Sequence, residues 1–358
     1  MAIASYRPKL FSLSNKKESE AWRVFSSENE APLDVSRLAG QWREWWRCTN
    51  PESREVPAND AIESDFMAGQ GATETGQYGT VAWYPWRKQA LLLLEEKEFV
   101  QVRTNRNQLK IRLEEQQQLA QKSVGIVGLS VGRSVAMALA MERIVGRLHL
   151  ADSDQIELSN LNRMPCSLFE LGTAKLVSAA RAISEVDPFL DIQVWPEGFQ
   201  AENMGGFLED LDLVVDACDG LQAKALLRLG ARDRRIPLVM ETNDRGLIDI
   251  ERYDLESTED FLHGRVTAEQ LSELVSGGEW TPAWLDAFVD LDQVSFRGQE
   301  SLSQVGQTLA GWPQLHSEVA LGAGAAASTI RRILLGEPLE DQRIRFDLNE
   351  QLSVANTA

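Results

Sequence analysis

The chain has 358 residues, of which 54 are acidic and 36 are basic, so its formal net charge at pH 7 is −18. Hydrophobic residues make up 43% and charged residues 25%, which is typical of globular proteins and excludes disordered, collagen-like and disulfide-scaffold classes. Binding to nucleic acid or anionic lipid needs clustered lysine and arginine. We therefore expect no nucleic-acid partner for this acidic chain.

The sequence shows no feature of membrane insertion or secretion. Its longest purely aliphatic run, Ala90 to Leu94, is far shorter than the roughly 20 apolar residues of a membrane helix. The first fifteen residues lack the apolar segment of a secretory signal, and three scattered cysteines are too few for a disulfide framework. We expect a cytoplasmic protein with no membrane partner.

The front third of the chain differs in composition from the rest. Residues 1–120 hold 16 basic and 17 acidic side chains and six of the ten tryptophans, whereas residues 121–358 hold 20 basic and 37 acidic ones. Residues 1–100 are accordingly predicted to form a small N-terminal α+β module. Its tryptophans form either a core, the commoner case, or an aromatic groove for a peptide.

Local patterns predict the elements of this module. The spacing of apolar residues predicts a helix over Leu33–Trp46, with Asp34 as its N-cap. Two strands are predicted at Thr80–Trp86 and Gln89–Leu94, around a short turn that contains proline. Residues 48–79, rich in Pro, Glu, Asn, Gly and Thr, are predicted to be a loop.

From Ser123 onward, short apolar strands alternate with longer helical segments, which is typical of a parallel sheet covered on both faces. The predicted strands are Ser123–Val127, Arg147–Ala151, Asp191–Trp195, Leu211–Asp216 and Pro237–Glu241. The predicted helices are Gly132–Ile144, Thr173–Val186, Leu221–Asp233 and, later, Glu318–Leu335. Gly246–Leu255 alternates like an antiparallel strand. The predicted fold class is α/β, a doubly wound, mainly parallel, Rossmann-like sheet.

The first of these strands runs into the loop GLSVGRS, where Gly128 and Gly132 bracket a turn that opens a helix. Such a turn directs backbone N–H groups and the positive end of a helix at a phosphate. The loop departs from the dinucleotide fingerprint G-x-G-x-x-G, because Ser130 and Arg133 replace the second and third glycines. A Walker loop is absent. Arg133 is expected to contact phosphate or solvent.

Charged residues follow the next strands in an order that suits a triphosphate. Asp152 ends the second strand, 24 residues after Gly128, where a carboxylate can bind ribose hydroxyls. Arg163 and Lys175 come next, and two cations at this point suit a nucleotide attacked at its α-phosphorus better than a hydride-transfer site. The fourth strand ends in DACDG, where Asp219 is a candidate Mg²⁺ ligand.

With SNLNR, Lys175 and DACDG in this order, residues 103–335 resemble the ThiF/MoeB adenylating superfamily, which includes the ubiquitin-activating enzymes. The resemblance implies that residues 101–358 form an adenylation domain that uses ATP and Mg²⁺. It implies that Asp152 binds ribose, that Asn160, Arg163 and Lys175 hold the phosphates, and that Asp219 binds magnesium. It further implies that Arg106, in RTNRN, reaches across a homodimer to the ATP of the partner.

The chain also departs from the family pattern. Members that activate sulfur carriers usually have two CxxC pairs for zinc, and some have a transfer cysteine after the nucleotide site; this sequence has neither. We therefore expect no zinc, and we expect Cys218 to be a small core residue. With its N-terminal module, the chain resembles members that modify ribosomally made peptides, such as the enzymes that mature microcin C and pantocin.

The loop GLSVG, the segment RTNRN and the run from Met240 to Glu256 also resemble the ThiF-like half of a bacterial group fused to nitroreductase-like domains. The predicted function is ATP-dependent adenylation of a carboxylate, a glutamate side chain or a C-terminus, on a precursor peptide held by the N-terminal module. Three alternatives stay open: activation of a ubiquitin-like or sulfur-carrier protein, an NAD-dependent oxidoreductase, and an inactive ThiF-like binding module.

Overall fold

The computed structural model describes residues 5–69, 78–255, 260–278 and 281–353. The chain divides into two compact units. Unit 1 comprises residues 1–114 and 184–189, and unit 2 comprises residues 115–183 and 190–358. No helix in the described ranges is both long and apolar enough to cross a membrane.

The elements up to residue 107 belong to unit 1. They are β1 (Lys9–Ser12), α1 (Lys16–Asn29), β2 (Leu33–Asp34), α2 (Leu38–Thr49), α3 (Asn59–Gly69), β3 (Thr80–Tyr84), β4 (Gln89–Leu93), α4 (Glu96–Thr104) and a 3-10 turn, Asn105–Asn107. The sheet order is β1-β3-β4-β2, with β2 parallel to β4 and the other pairs antiparallel. Of the tryptophans, Trp22, Trp42 and Trp83 are buried in the core, which confirms the core interpretation for these three.

Two predictions for unit 1 are wrong. Leu33 and Asp34 do not begin a helix but pair with β4 as a short parallel strand, and the Asp34 carboxylate accepts hydrogen bonds from Ser36 in the turn that follows. Residues 59–69 of the predicted loop form α3, because this segment buries an apolar face of Ile62, Phe66 and Met67. Residues 70–77 of that predicted loop lie outside the described residues.

The later elements belong to unit 2, except that α5 begins and α7 ends with residues of unit 1. In chain order they are α5 (Leu113–Leu119), β5 (Ser123–Val127), α6 (Gly132–Glu142), β6 (Arg147–Ala151), α7 (Lys175–Val186), β7 (Asp191–Trp195), α8 (Met204–Phe207), β8 (Leu213–Asp216), α9 (Leu221–Asp233), β9 (Leu238–Thr242), β10 (Leu247–Glu251), β11 (Asp260–Phe261), β12 (Val266–Thr267), α10 (Ala268–Val275), α11 (Pro282–Val289), α12 (Phe296–Leu302), α13 (His316–Leu334), β13 (Gln342–Arg345) and α14 (Leu348–Ser353).

A seven-stranded sheet of order β13-β10-β9-β8-β5-β6-β7 organises unit 2. The five strands from β9 to β7 are parallel, β10 is antiparallel to β9, and β13 is antiparallel to β10. Strand β5 is buried along its whole length, as expected for a central strand covered on both faces. The order of the chain reverses at β5, because β6 lies on one side of it and β8 on the other. The structure confirms the predicted mainly parallel α/β fold, including the antiparallel strand after Gly246.

Candidate nucleotide-binding site

The candidate site lies at the carboxyl edge of the large sheet, where open α/β sheets bind ligands at the point of strand-order reversal. The loop after β5 packs closely against the chain that follows β8. Gly128 has φ +88°, and a Cβ there would overlap the carbonyl oxygen of Ala217 after β8. At Gly132, a Cβ would lie 2.8 Å from the Ile126 side chain. Glycine is therefore needed at both ends of the loop, which holds the start of α6 against the sheet.

Asp152 follows β6 and is tied to the glycine loop. Its carboxylate accepts the backbone N–H of Leu129 at 2.6 Å and that of Asp154 at 2.8 Å. Burial raises the pKa of Asp152, while these two N–H donors and the nearby Lys175 favour its ionised form. The carboxylate is thus fixed beside the glycine loop.

Arg163 reaches the same loop from the crossover between β6 and α7. Its Nε donates to Ser130 Oγ at 3.2 Å, and its Nη1 donates to the Ser159 carbonyl at 3.0 Å. The backbone carbonyl of Arg163 lies 3.1 Å from Nδ1 of His316, at the start of α13. The fold therefore brings the half-buried guanidinium of Arg163 to Ser130, in the loop that leads into α6.

Lys175 is the first residue of α7 and is only 7% exposed. Its Nζ lies 2.7 Å from Asp154 Oδ2, and its backbone N–H donates to the Asp154 carbonyl at 2.9 Å. Asp154 thus positions both the helix start and the ammonium group. The sequence showed Asp154 but gave no signal of this ion pair.

Asn160 has a structural contact in this crossover. It is buried, and its Oδ1 accepts the backbone N–H of Glu157 at 2.9 Å in a reciprocal cap of a short 3-10 turn. This hydrogen bond shapes the turn that presents Arg163. Arg133, in contrast, does not face solvent: it is 3% exposed and bonds to Ser178 of α7, so the expectation of a solvent contact is wrong.

The two aspartates of DACDG have different surroundings. Asp216 is fully buried and pairs with Lys224 at 2.9 Å and with Arg228 at 2.7 Å. Burial opposes ionisation of Asp216, but the two cations outweigh it and lower its pKa to about 2. Asp219, three residues later, is exposed at the same edge of the sheet. Only Asp219 is therefore available to a metal ion.

Cys218 lies between these aspartates. Burial and the neighbouring Asp216 carboxylate raise the pKa of its thiol well above the usual range. A thiol that resists ionisation is a poor nucleophile. Among the described residues, no group of three or more His, Cys, Asp or Glu side chains could hold a metal ion by itself.

Arg106 belongs to unit 1, where it is an exposed residue of the 3-10 turn Asn105–Asn107. The other candidate residues all belong to unit 2. Within unit 2, the fold brings the glycine loop, Asp152, Arg163 and Lys175 to one edge of the sheet. The role of Arg106 in a homodimer stays a prediction.

Comparison with known proteins gives a consistent classification. Residues 104–242 match the model of the ThiF family. The Mycobacterium tuberculosis protein MT1398 is 43% identical over 274 residues, which is 76% of this chain and 38% of the relative. A probable molybdopterin-synthase adenylyltransferase of Porphyra purpurea is 26% identical over 119 residues, 33% of this chain and 31% of the relative. The chain thus spans less than two-fifths of the length of either relative.

Among solved structures, that of PaaA superimposes with a TM-score of 0.49 and 17% identity, covering 80% of this chain and 91% of PaaA. The family match spans the glycine loop, Asp152, Arg163, Lys175 and Asp219. Residues 104–242, which contain these candidate residues, are therefore similar to the ThiF family.

Proposed function

We propose that this protein catalyses ATP-dependent adenylation of a carboxylate on a ribosomally made precursor peptide. The observation that carries the proposal is the position of Arg163, whose guanidinium bonds to Ser130 in the loop that opens α6. A cation fixed at a loop of phosphate-binding geometry stabilises negative charge that develops on the α-phosphate. An NAD-dependent oxidoreductase would leave this cation and Lys175 without a role.

In the proposed reaction, a carboxylate oxygen attacks the α-phosphorus of ATP. A bond forms between these atoms, the bond to the β-phosphate oxygen breaks, and pyrophosphate leaves an acyl adenylate behind. Asp152 accepts hydrogen bonds from the ribose hydroxyls. The phosphates are surrounded by the backbone N–H groups after Gly128 and by Arg163 and Lys175. These residues act by positioning and by neutralising charge.

Asp219 suits a magnesium ion that arrives with the nucleotide. Mg²⁺ is commonly held by one or two carboxylates together with substrate phosphates and water, so one exposed carboxylate fits this mode. When bound, the ion would neutralise part of the phosphate charge. Asp216, in contrast, is fully engaged with Lys224 and Arg228.

A peptide substrate is supported by a groove in unit 1. It is a shallow, open groove of about 580 Å³ that is lined by residues of β1 and α1. Its lining residues are Lys9, Phe11, Lys17, Glu20, Ala21, Val24, Phe25 and Glu28. Strand β1 is an edge strand of its sheet, and such an edge can pair with an extended peptide while neighbouring pockets take its side chains. We propose that this groove holds the peptide.

Adenylation is tested by ATP–pyrophosphate exchange with synthetic peptides encoded by short open reading frames beside the gene. We expect exchange that requires both a peptide and Mg²⁺, with an acyl-AMP species whose mass is that of the peptide plus AMP minus one water. The variant Arg163→Met should lose exchange. Peptide-dependent oxidation of NADH, with no exchange under any condition, would refute adenylation.

The groove is tested separately with Val24→Glu. Val24 is 50% exposed, so the substitution should be tolerated, but it places a charge in the apolar part of the groove. We expect at least a tenfold loss of peptide affinity with unchanged ATP affinity. Val35→Glu is the matched control, because Val35 is 52% exposed in the same unit and is not part of the groove lining. Equal peptide binding by both variants would contradict the assignment of the groove.

A further inference from the structure

A buried carboxyl group near the candidate site lacks a hydrogen-bond partner among the residues that the structure describes. Glu241, in β9, is 3% exposed, and neither of its side-chain oxygens makes a hydrogen bond within the described part of the chain. Asn243, the first residue after β9, is 4% exposed, and its Oδ1 also lacks a donor there. Buried polar groups are nearly always satisfied, so two unsatisfied side chains so close in sequence call for an explanation.

Helix α13 makes room for Glu241. A Cβ placed on Gly322 would overlap Oε1 of Glu241 and would lie 2.7 Å from its carboxyl carbon. The carboxyl group thus occupies space that a Cβ at position 322 would fill. The Glu241 carboxyl group therefore lies against the backbone of α13 and does not point to solvent.

The strand register locates Glu241 relative to the glycine loop. Asp216 of β8 pairs with Val127, which directly precedes Gly128, and also pairs with Met240 of β9. Glu241 follows Met240, so it lies about two inter-strand spacings, roughly 10 Å, from the loop. Asp152 follows β6, on the other side of β5. Glu241 and Asn243 thus lie on the side of the loop opposite to the ribose-binding position.

We propose that Glu241 and Asn243 form a subsite for a peptide group of the acyl donor, next to the carboxylate that is adenylated. The inference rests on the proposed function and deepens it by assigning the half of the site that would hold the acyl chain. A nucleotide bound at the loop with its ribose towards Asp152 leaves the region beyond β8 for that chain.

The chemistry of the two side chains suits a peptide group. Burial raises the pKa of Glu241 to about 8, although Lys224 acts in the opposite direction, so the carboxyl group is mainly neutral at pH 7. A neutral carboxyl can accept an N–H and donate its proton to a carbonyl oxygen, and Asn243 Oδ1 offers a second acceptor. A peptide group carries one donor and one acceptor. An aliphatic acyl chain would leave all of these atoms unsatisfied, at a cost in affinity.

The test uses non-hydrolysable analogues of acyl adenylates and the full-length protein. Three probes are titrated by calorimetry: 5′-O-sulfamoyladenosine, its N-pentanoyl derivative, and its N-(N-acetylglycyl) derivative, whose acyl chain has the same length but contains a peptide group. We expect the wild-type protein to bind the acetylglycyl probe about tenfold more tightly than the pentanoyl probe. Glu241→Met and, independently, Asn243→Leu should remove this preference while leaving the affinity for sulfamoyladenosine unchanged.

Thermal stability separates a binding role from a structural one. Replacing an unsatisfied buried carboxyl group by a methionine of similar size should raise Tm by a few degrees, whereas a residue needed for the fold would lower it. Glu318→Met, on the first turn of α13, is the matched control and should keep the acyl preference.

Equal affinity of the wild-type protein for the two acyl probes would overturn the inference, as would an unchanged preference in Glu241→Met and Asn243→Leu. Failure of the wild-type protein to bind sulfamoyladenosine itself would overturn the proposed function and, with it, this inference. The three probes thus distinguish the two failures.

Discussion

Replacing Lys175 by methionine separates the contribution of this cation to folding from its contribution to nucleotide binding. The Lys175 ammonium pairs at 2.7 Å with Asp154, whose side chain is 67% exposed. Because the partner is well solvated, loss of this ion pair should cost at most about 1 kcal/mol of stability, and methionine retains most of the buried apolar stem. Loss of a charge-assisted hydrogen bond to a phosphate costs about 1.5–3 kcal/mol, or roughly 10- to 150-fold in Kd.

The assay is calorimetric titration with ATP and Mg²⁺, together with Tm of each variant. Lys122→Met is the control, because Lys122 makes an ion pair of similar length, 2.8 Å to Asp212, but directly precedes β5 at the opposite edge of the sheet. We expect weaker ATP binding in Lys175→Met only, with small Tm changes in both. Wild-type ATP affinity in Lys175→Met, or an equal loss in Lys122→Met, would refute the phosphate contact.

Two further predictions concern magnesium and assembly. Asp219→Ala should leave Tm unchanged, since the side chain is exposed, but it should remove the dependence of ATP affinity on Mg²⁺, as measured by titrations with and without the ion. If Arg106 acts in the partner's site, mixing inactive Arg106→Ala and Asp219→Ala proteins should restore about one quarter of wild-type pyrophosphate release, because half of random dimers contain one intact site. A fully active monomer in sedimentation velocity would contradict the second prediction.

The sheet of unit 2 was predictable because buried parallel strands are short apolar runs bounded by charged residues and glycine. Strands β5, β6 and β7 begin and end at the predicted residues. The short strand β2 was not predictable, because its two residues are defined by pairing with β4, more than 50 positions later. The wrong prediction of a loop at α3 has another cause. Ile62 and Phe66 have helical spacing, but they lie in a segment whose many polar residues and prolines favour a loop.

At the candidate site, residue order predicted which side chains meet but not how they are held. The sequence indicated that Asp152, Arg163 and Lys175 all follow the second strand of a parallel sheet, close to the edge at which the strands have their carboxyl ends. The contact of Arg163 with Ser130 spans 33 positions, and the burial of Glu241 depends on Gly322 in a helix 81 positions later. Such contacts depend on tertiary packing, for which a local pattern contains no signal.

In the run DACDG, two identical side chains three positions apart have opposite surroundings, since Asp216 is buried and Asp219 is exposed. Asp216 is buried against two cations, so Asp216→Asn would leave Lys224 and Arg228 without their shared carboxylate and should cost about 3 kcal/mol. For a unit of this size, that corresponds to a Tm decrease of roughly 6–12 °C. Asp219→Asn is the matched control and should leave Tm unchanged.

The pH dependence of this stability has a definite sign. Because the folded-state pKa of Asp216, about 2, is below the ordinary value of 3.8, its ionised form stabilises the fold above pH 3.8, and this contribution is lost as the pH falls towards 2. In Asp216→Asn, that part of the acid-induced loss should be missing when Tm is followed from pH 5 to pH 2. A wild-type Tm and acid profile in Asp216→Asn would show that the buried ion pairs do not stabilise this edge of the sheet. The ion pairs of Asp216 with Lys224 and Arg228 would then no longer explain why Asp219, and not Asp216, is the carboxylate available to the nucleotide.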